Sequence, residues 1–240
     1  MRYQIELSYN GTNYHGWQLQ PNVITVQEVV NNALSVIMRQ PIYIEGCGRT
    51  DAGVHAKQYF GHFDSDYDLP DTFLKNLNGI LPIDIAAHGI QMAAPDFNAR
   101  FNATSRTYEY LITFEKNPFY HQFAARLHNV LDIEKMIEAS NTLIGIKDFS
   151  SFSKVKSDVT NFNCNLMAAR WYYRNDLLVF EVTANRFLRN MVRAMVGTLI
   201  QVGEGRIELE KFIEIVESKD RRLAGVSAPA CGLYLVAVEY

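Results

Sequence analysis

The sequence predicts an α+β fold made of two split β-α-β halves, and three observations support this prediction. Several short segments alternate apolar and polar residues, which is the period-2 pattern of half-buried strands. Other segments repeat apolar residues every three or four positions, as amphipathic helices do. These segments follow one another in the order β-α-β-β-α-β, and this order occurs twice along the 240 residues.

The first half, residues 1–103, opens with a strand and a capped helix. Residues 2–9 alternate between polar and apolar side chains. Thr25 and Glu28 form a capping box, and apolar residues at helical spacing follow it until Pro41. Further strands are expected at residues 42–45, 57–63 and 83–92, with a short helix starting near residue 70.

The second half, residues 104–240, repeats this order with one added helix before the last strand. Asn175-Asp176 is expected to join two strands as a hairpin turn. Strands are predicted at residues 107–114, 165–174, 177–184 and 233–240, and helices at residues 133–143, 185–202 and 209–216. The halves share no visible sequence similarity, so one mixed α+β domain without pseudo-symmetry is the alternative.

Composition limits the class of protein. With 48% hydrophobic and 20% charged residues, the chain resembles an ordinary globular protein. Its three cysteines lie far apart, so we expect no disulfide framework and a reducing compartment. Neither a signal peptide nor a membrane-length apolar stretch is evident, and we expect a cytoplasmic protein. The net charge of −3 fits a nucleic-acid partner only if basic residues gather on one surface.

A long polar segment, residues 149–163, precedes the predicted hairpin. Segments of this length in compact domains often act as lids or binding loops. A surface excursion without function is the equally open alternative.

Residues 46–55 concentrate the residue types that carry chemistry. Three glycines surround Arg49 and Asp51, and glycine permits left-handed backbone angles and the close approach of a ligand. Asp51 stands where a dinucleotide-binding loop has its third glycine, and no helix pattern follows, which excludes that class. The spacing of metal ligands is not matched by the neighbouring Cys47, His55 and His62. From composition alone, an aspartate that caps a turn is the favoured alternative to a catalytic carboxylate.

Residues 48–56, Gly-Arg-Thr-Asp-Ala-Gly-Val-His-Ala, resemble the signature loop of the tRNA pseudouridine synthase A family. The resemblance extends along nearly the whole chain in five separated blocks, which is more specific than any single motif. The other four blocks are residues 9–12 with 16–18, 97–101 with 103–110, 187–193 with 196–199, and 228–230 with 232–235.

The resemblance implies a role for each of five residues. Asp51 matches the catalytic nucleophile, and Arg193 matches the arginine that pairs with its carboxylate. Tyr108 matches the tyrosine that stacks on the target uracil and helps proton transfer. Arg49 matches a basic residue that helps to expel the target base, and Leu233 matches an apolar wall of the pocket.

The resemblance also implies a fold, a reaction and an assembly. The implied fold is the pseudouridine synthase fold, in which two ferredoxin-like halves share a central antiparallel sheet and Asp51 lies in the cleft between them. The implied reaction isomerises uridine to pseudouridine in the anticodon stem-loop of tRNA, at positions 38, 39 and 40. It requires no cofactor and no metal, because nothing is oxidised and no group leaves. Members of the family work as homodimers, with the RNA spanning both subunits.

Two structural alternatives stay open from the residues alone. Tyr108 shares its strand face with Tyr110, so it is either a stacking residue or a core aromatic. The helix predicted at residues 185–202 carries a polar ridge formed by Arg186, Arg189, Asn190 and Arg193. This ridge either contacts phosphate groups or is only solvated.

Other functions and routes are also compatible with these residues. An RNA-binding module without catalysis would use aromatic side chains of the sheet, and a nucleoside hydrolase would release free uracil. A carboxylate nucleophile can attack C1′ of the ribose or C6 of the uracil, and the sequence leaves both routes open.

Overall fold

The computed structural model describes residues 1–154 and 160–240, and the chain divides into two compact units. The first unit comprises residues 1–104 and 235–240, and the second comprises residues 105–234. Within the described residues, no helix combines the length and the apolar character needed to cross a membrane.

The last six residues belong to the first unit, whereas the sequence-based halves assign the whole closing strand to the second. Several hydrogen bonds attach them, including two that involve side chains of Gln58 and Tyr240. The Val238 backbone N–H donates to the Gln58 side-chain oxygen at 3.1 Å, and the Tyr240 hydroxyl donates to the Ala99 carbonyl at 2.9 Å. Residues 235–240 therefore belong to the first unit although they follow the second unit in the sequence.

The first unit has the element order predicted from the sequence, β-α-β-β-α-β. Its elements are β1 (Arg2–Tyr9), α1 (Val26–Met38), β2 (Glu45–Gly46), β3 (His55–Asp64), α2 (Phe73–Ile80) and β4 (Ile85–Met92). β1 lies between β3 and β4, β2 pairs with β3, and every one of these pairings is antiparallel.

Local sequence signals explain β1 and α1. The alternating residues of β1 bury Tyr3, with Ile5, Leu7 and Tyr9, in the core. Thr25 caps α1 by accepting a hydrogen bond from the Glu28 backbone N–H, as the capping box predicts. The helix ends where Arg39 adopts a left-handed conformation, with φ of 54°, two residues before Pro41.

The strand predicted at residues 42–45 is wrong except at its last residue. The Ile42 N–H is bound by the Ser35 hydroxyl, and the Ile44 N–H by the Asn31 amide oxygen. Polar side chains of α1 thus satisfy the backbone that a neighbouring strand would otherwise pair. A period-2 pattern cannot show this, because the partners lie on a helix.

The second unit begins with β5 (Ser105–Thr113). It continues with β6 (Ala125–Arg126), α3 (Ile133–Thr142), β7 (Leu166–Arg174), β8 (Leu177–Ala184), α4 (Met191–Gly203), α5 (Leu209–Glu217) and the start of β9 (Leu233–Glu239). β8 pairs antiparallel with both β5 and β7, and β6 pairs parallel with β5. The described fold is therefore mixed α/β, with mostly antiparallel strand pairing.

The helix predicted at residues 185–202 begins six residues late. Asn190, at the N-cap position of α4, adopts a left-handed conformation with φ of 65°. The preceding backbone is engaged elsewhere, since Lys154 N–H donates to the Arg189 carbonyl and Asn185 N–H donates to the Asn165 carbonyl. Apolar periodicity continues through this stretch, but its hydrogen bonds go to other segments.

The segment predicted as a loop at residues 149–163 starts inside the core. Phe149 and Phe152 are fully buried at a single 3-10 turn, and the Phe152 ring lies 6.5 Å from that of Phe212 on α5. The Phe149 N–H donates to the Phe162 carbonyl, so the two ends of the segment meet. Residues 155–159, which are part of this predicted loop, lie outside the described residues.

Candidate active site

Asp51 lies in the connection between β2 and β3, within the first unit. The Val54 N–H donates to the Asp51 carbonyl at 3.1 Å, which closes a tight turn. Gly53 takes the left-handed conformation within this turn, with φ of 78°, as its glycine identity allows. The Asp51 residue is partly exposed.

The last residue of β1 and the connection from β1 to α1 hold this loop from one side. The Tyr9 hydroxyl and the Thr50 hydroxyl are hydrogen-bonded at 2.9 Å, and the Trp17 N–H donates to the Thr50 carbonyl at 3.3 Å. On the other side of Asp51, the Gly53 N–H donates to the Tyr14 carbonyl at 3.2 Å. The backbone on both sides of the aspartate is therefore fixed by a segment that is distant in sequence.

Two glycines outside the loop make this contact possible. A Cβ at Gly16 would lie 2.3 Å from the Thr50 carbonyl oxygen, and Gly16 has φ of 84°. A Cβ at Gly11 would lie 1.9 Å from the Val54 carbonyl oxygen. From the sequence, only the glycines within the loop had a predicted role at the site, although these two also lie in a resembling block.

A cluster of aromatic side chains supports the loop. The rings of Trp17 and Tyr59 are stacked with centroids 4.0 Å apart, and the Tyr9 ring lies 5.5 Å from Tyr59. The Tyr59 hydroxyl donates to the Gly48 carbonyl. A Cβ at Gly46 would collide with the Tyr59 hydroxyl and the Trp17 ring, so this position also requires glycine.

The opposite side of the loop is open. A Cβ at Gly48 would meet no atom within 4 Å, and the adjacent Arg49 is exposed. The backbone of the loop is therefore fixed by hydrogen bonds, while the Arg49 side chain is exposed and Asp51 is partly exposed. This arrangement suits a group that must meet a large substrate.

Burial suppresses the ionisation of one tyrosine in each unit. Burial raises the pKa of the Tyr14 phenol, which also donates to Asp84 at 2.6 Å. Burial likewise raises the pKa of Tyr110 in the second unit. Both phenols therefore stay protonated well above neutral pH, and each serves as a hydrogen-bond donor.

Tyr108 and Tyr110 occupy different environments although both lie on β5. Tyr110 is fully buried, and its hydroxyl donates to the Pro229 carbonyl at 2.9 Å. Tyr108 is partly exposed, and its ring meets the Phe187 ring edge-on, with centroids 5.1 Å apart. The core-aromatic alternative thus describes Tyr110, while Tyr108 keeps part of its surface accessible.

Arg193 lies on α4, and its partly buried side chain turns to the segment before β9. Its Nε donates to the Ala228 carbonyl at 2.8 Å, and the Ala228 N–H donates to the Arg193 carbonyl at 2.9 Å. The predicted polar ridge is wrong, because Arg186 and Arg189 precede the helix. Only Arg193 of the three arginines lies on α4.

Leu233 is the first residue of β9 and is buried. The preceding Gly232 packs against β5, since a Cβ there would lie 2.7 Å from the Leu111 carbonyl oxygen and 2.9 Å from the Tyr110 ring. Each unit therefore carries a group of the predicted site residues. Arg49 and Asp51 share one loop of the first unit, while the second unit carries Tyr108, Arg193 and Leu233.

Metal ligation has no support in the part of the chain that the structure describes. No group of three or more His, Cys, Asp or Glu side chains is arranged there to hold an ion. The histidines near the loop have structural partners instead: His55 Nδ1 accepts from the Gly11 N–H, and His62 Nδ1 accepts from the Ala99 N–H.

Comparison with known proteins identifies the family. Residues 139–240 match the family model described as tRNA pseudouridine synthase. The chain is 49% identical to tRNA pseudouridine synthase A of Parabacteroides distasonis and 48% identical to that of Bacteroides fragilis, over 100% of this chain and 96% of each relative. It is 40% identical to the protein of that name from Limosilactobacillus reuteri, again over 100% of this chain and 96% of the relative. The chain therefore belongs to the tRNA pseudouridine synthase A family.

Proposed function

We propose that this chain isomerises uridine to pseudouridine in the anticodon stem-loop of tRNA, with Asp51 as the nucleophile. The observation that carries the proposal is similarity over the full length to relatives named tRNA pseudouridine synthase A, at 49% and 48% identity. Enzymes of this family are isomerases. Asp51 is partly exposed and lies in a loop whose backbone is fixed by hydrogen bonds to another segment. This location supports its assignment as the nucleophile.

The reaction exchanges one bond to the ribose for another. The N1–C1′ bond breaks, the uracil rotates, and a C5–C1′ bond forms. C5 loses its proton and N1 gains one, so the product has the same atoms as the substrate. Because no oxidation or net group transfer occurs, we propose that the enzyme works without a cofactor.

A carboxylate suits this exchange because it can form a bond to carbon and later leave. Glycosidases use carboxylates in the same way at C1 of a sugar. The Asp51 carboxylate oxygen would have this role whether it adds to C1′ of the ribose or to C6 of the uracil. We propose that Arg193 pairs with the carboxylate, since a guanidinium binds a carboxylate through charge-assisted hydrogen bonds of defined geometry.

The target uracil must leave its stack to reach a carboxylate, at a cost of a few kcal/mol. We propose that Tyr108 offsets this cost, because stacking a base on an aromatic ring contributes about 1–3 kcal/mol. Its partly exposed ring, held edge-on by Phe187, supports that role. Arg49 is proposed to help expel the base, and Leu233 to form an apolar wall of the pocket.

The proposal extends to architecture, assembly and location. We propose two ferredoxin-like halves that share a central antiparallel sheet, and a cytoplasmic homodimer that binds tRNA across both subunits. The repeated element order supports the first point, and family resemblance supports the others. Sedimentation at micromolar concentration tests the assembly, where a mass of one chain would contradict it.

The test of the function is Asp51→Asn, which keeps the shape of the side chain and removes its charge. Unmodified tRNA is incubated with each enzyme and digested to nucleosides, which are separated by retention because uridine and pseudouridine have equal mass. The variant should lose on the order of 10⁶ in single-turnover rate, as nucleophile removal does in other enzymes. RNA affinity should persist, since phosphate contacts supply most of it. Asp66→Asn, at an exposed aspartate of the same unit, is the matched control and should act as wild type.

The outcomes separate the competing functions. Pseudouridine formation by Asp51→Asn within tenfold of wild type would rule out the nucleophile assignment. Free uracil as the product would indicate a nucleoside hydrolase. Binding of tRNA by the wild-type chain, with no change in any nucleoside, would indicate an RNA-binding module without catalysis.

A further inference from the structure

The segment between α5 and β9 contacts several elements of the second unit that carry proposed site residues. We name residues 221–229 the clamp segment. Its residues 225–229 lie in neither a helix nor a strand, so no regular backbone ladder fixes their path. Val226 is 85% exposed and cannot anchor the segment by burial. The shape of the clamp segment must therefore come from side-chain hydrogen bonds and close backbone contacts.

Arg221 supplies three of these hydrogen bonds. Its Nη1 donates to the carbonyls of Ala224 and Gly225, at 3.3 Å and 3.1 Å. Its Nη2 donates to the Ser227 hydroxyl oxygen at 2.9 Å. The planar guanidinium thus folds the following residues around itself, a geometry that the single ammonium of lysine does not reproduce.

The clamp segment is also pressed against α4. The Gly225 N–H donates to the Thr198 hydroxyl oxygen at 3.0 Å. A Cβ at Gly197 would lie 1.9 Å from the Val226 carbonyl oxygen, so only glycine permits this approach. At the amino end of the same helix, the Asn190 amide donates to the Ser227 hydroxyl oxygen at 2.6 Å.

The residue after Ser227 is the one that holds Arg193. The Ala228 carbonyl accepts from Arg193 Nε, and the Ala228 N–H donates to the Arg193 carbonyl. The next carbonyl, that of Pro229, accepts from Tyr110, two residues from Tyr108 on β5. An uninterrupted chain of contacts therefore runs from the Arg221 guanidinium through Ser227 and Ala228 to the Arg193 side chain.

We propose that Arg221 is a positioning residue for Arg193, acting through Ser227 and the Ala228 carbonyl. Arg221 fixes the clamp segment, and the clamp segment fixes the direction in which the Arg193 guanidinium points. The consequence for catalysis rests on the proposed function, in which Arg193 pairs with the nucleophile. The consequence for the orientation of Arg193 does not, and it can be measured separately.

The first measurement is the orientation itself, in the full-length protein without RNA. Arg193→Lys identifies the Arg193 Nε–H signal in a ¹⁵N spectrum by its disappearance. In the wild type this proton should exchange slowly with water, because it is bonded to the Ala228 carbonyl. Arg221→Gln should speed its exchange by about tenfold or more, the loss expected for one hydrogen bond of about 1.4 kcal/mol.

The second measurement is single-turnover rate at saturating tRNA, with the half-saturating concentration recorded alongside. Arg221→Gln should lower the rate by roughly 10- to 100-fold, as misplacement of a site group by about 1 Å does. The half-saturating concentration should stay within about twofold of the wild-type value. In Arg193→Lys/Arg221→Gln the second change should add little, because Arg221 acts through Arg193.

Controls separate positioning from loss of charge and from unfolding. Arg222→Gln removes a neighbouring, largely exposed arginine whose partner is Asp220, and should change neither the exchange nor the rate. Ser227→Ala breaks the link beyond Arg221 and should reproduce part of its effect. If Arg221→Gln is unstable, Ser227→Ala provides the same test with a smaller change, and thermal unfolding identifies that case.

Unchanged exchange of Arg193 Nε–H in both Arg221→Gln and Ser227→Ala would overturn the inference, whatever the activity. Multiplicative rate effects in the double variant would also overturn it, since they would show that Arg221 acts independently. Absence of pseudouridine with the wild-type enzyme would contradict the proposed function, and the exchange measurement would still decide whether Arg221 positions Arg193.

Discussion

At the scale of single residues, the burial of a side chain decides between roles that sequence position leaves equal. Tyr108 and Tyr110 are two apart on β5 and share a face, yet only Tyr110 is sealed into the core. The exposed part of Tyr108 is what a nucleobase could stack on. The two side chains also have different partners from elsewhere in the chain: the Phe187 ring meets the Tyr108 ring edge-on, and the Pro229 carbonyl accepts from the Tyr110 hydroxyl.

Tyr108→Phe tests the hydroxyl of the proposed stacking residue. The ring and its contact with Phe187 remain, so RNA affinity should stay within about twofold of wild type. The single-turnover rate should fall by roughly 10²–10⁴, which is the usual contribution of a positioned proton donor or acceptor. Tyr173→Phe, at an exposed tyrosine of β7, is the matched control and should have no effect. A wild-type rate in Tyr108→Leu would remove this residue from the site.

At the scale of elements, the connection between β1 and α1 fixes the backbone of the Asp51 loop, and its own sequence does not indicate this. It caps α1 through Thr25, and it also binds the backbone on both sides of Asp51. The loop glycines attract attention first, but Gly11 and Gly16 bring the two segments into contact. Neither segment would hold its shape alone, because each supplies hydrogen-bond partners of the other.

Gly16→Ala tests this coupling. The new Cβ would overlap the Thr50 carbonyl, and the residue would keep a positive φ. We expect a loss of about 2 kcal/mol or more in the free energy of unfolding, measured by urea titration. Gly79→Ala is the matched control, because its Cβ would meet nothing within 4 Å and it lies on α2. It should stabilise the protein by about 0.5–1 kcal/mol. Equal stability of the two variants would contradict the close contact at Thr50.

At the scale of the whole molecule, the net charge of −3 must be reconciled with an RNA substrate. Average charge does not determine the local field, so a basic surface can exist on an acidic protein. Arg186 and Arg189 are candidates for such a surface, although they lie just before α4 and not on it. Their phosphate contacts remain a prediction.

Salt dependence tests that prediction. The logarithm of tRNA affinity should fall linearly with the logarithm of salt concentration, by about 0.7–0.9 per phosphate neutralised. Arg186→Ala and Arg189→Ala should each flatten the slope, whereas Lys211→Ala, whose ammonium is paired with Glu214, should leave it unchanged. Affinity that does not vary between low and moderate salt would contradict binding through phosphates.

Elements with local causes can be predicted from the sequence alone. The alternation of polar and apolar residues predicted β1. The threonine cap, followed by apolar residues at helical spacing, predicted α1, which spans residues 26–38. The residues matching the family's catalytic loop could also be identified, because the resemblance attaches to consecutive positions. In each case the information lies within a few residues of the feature that it predicts.

The partners of long-range hydrogen bonds are visible only in the folded chain. The backbone near Ile44 looks like a strand but is bound by side chains of α1, and the stretch before Met191 looks helical but ends at a left-handed Asn190. The partner of Arg193 Nε, the Ala228 carbonyl, lies 35 residues away. A backbone group must be satisfied by some partner, and local pattern does not reveal which distant group provides it.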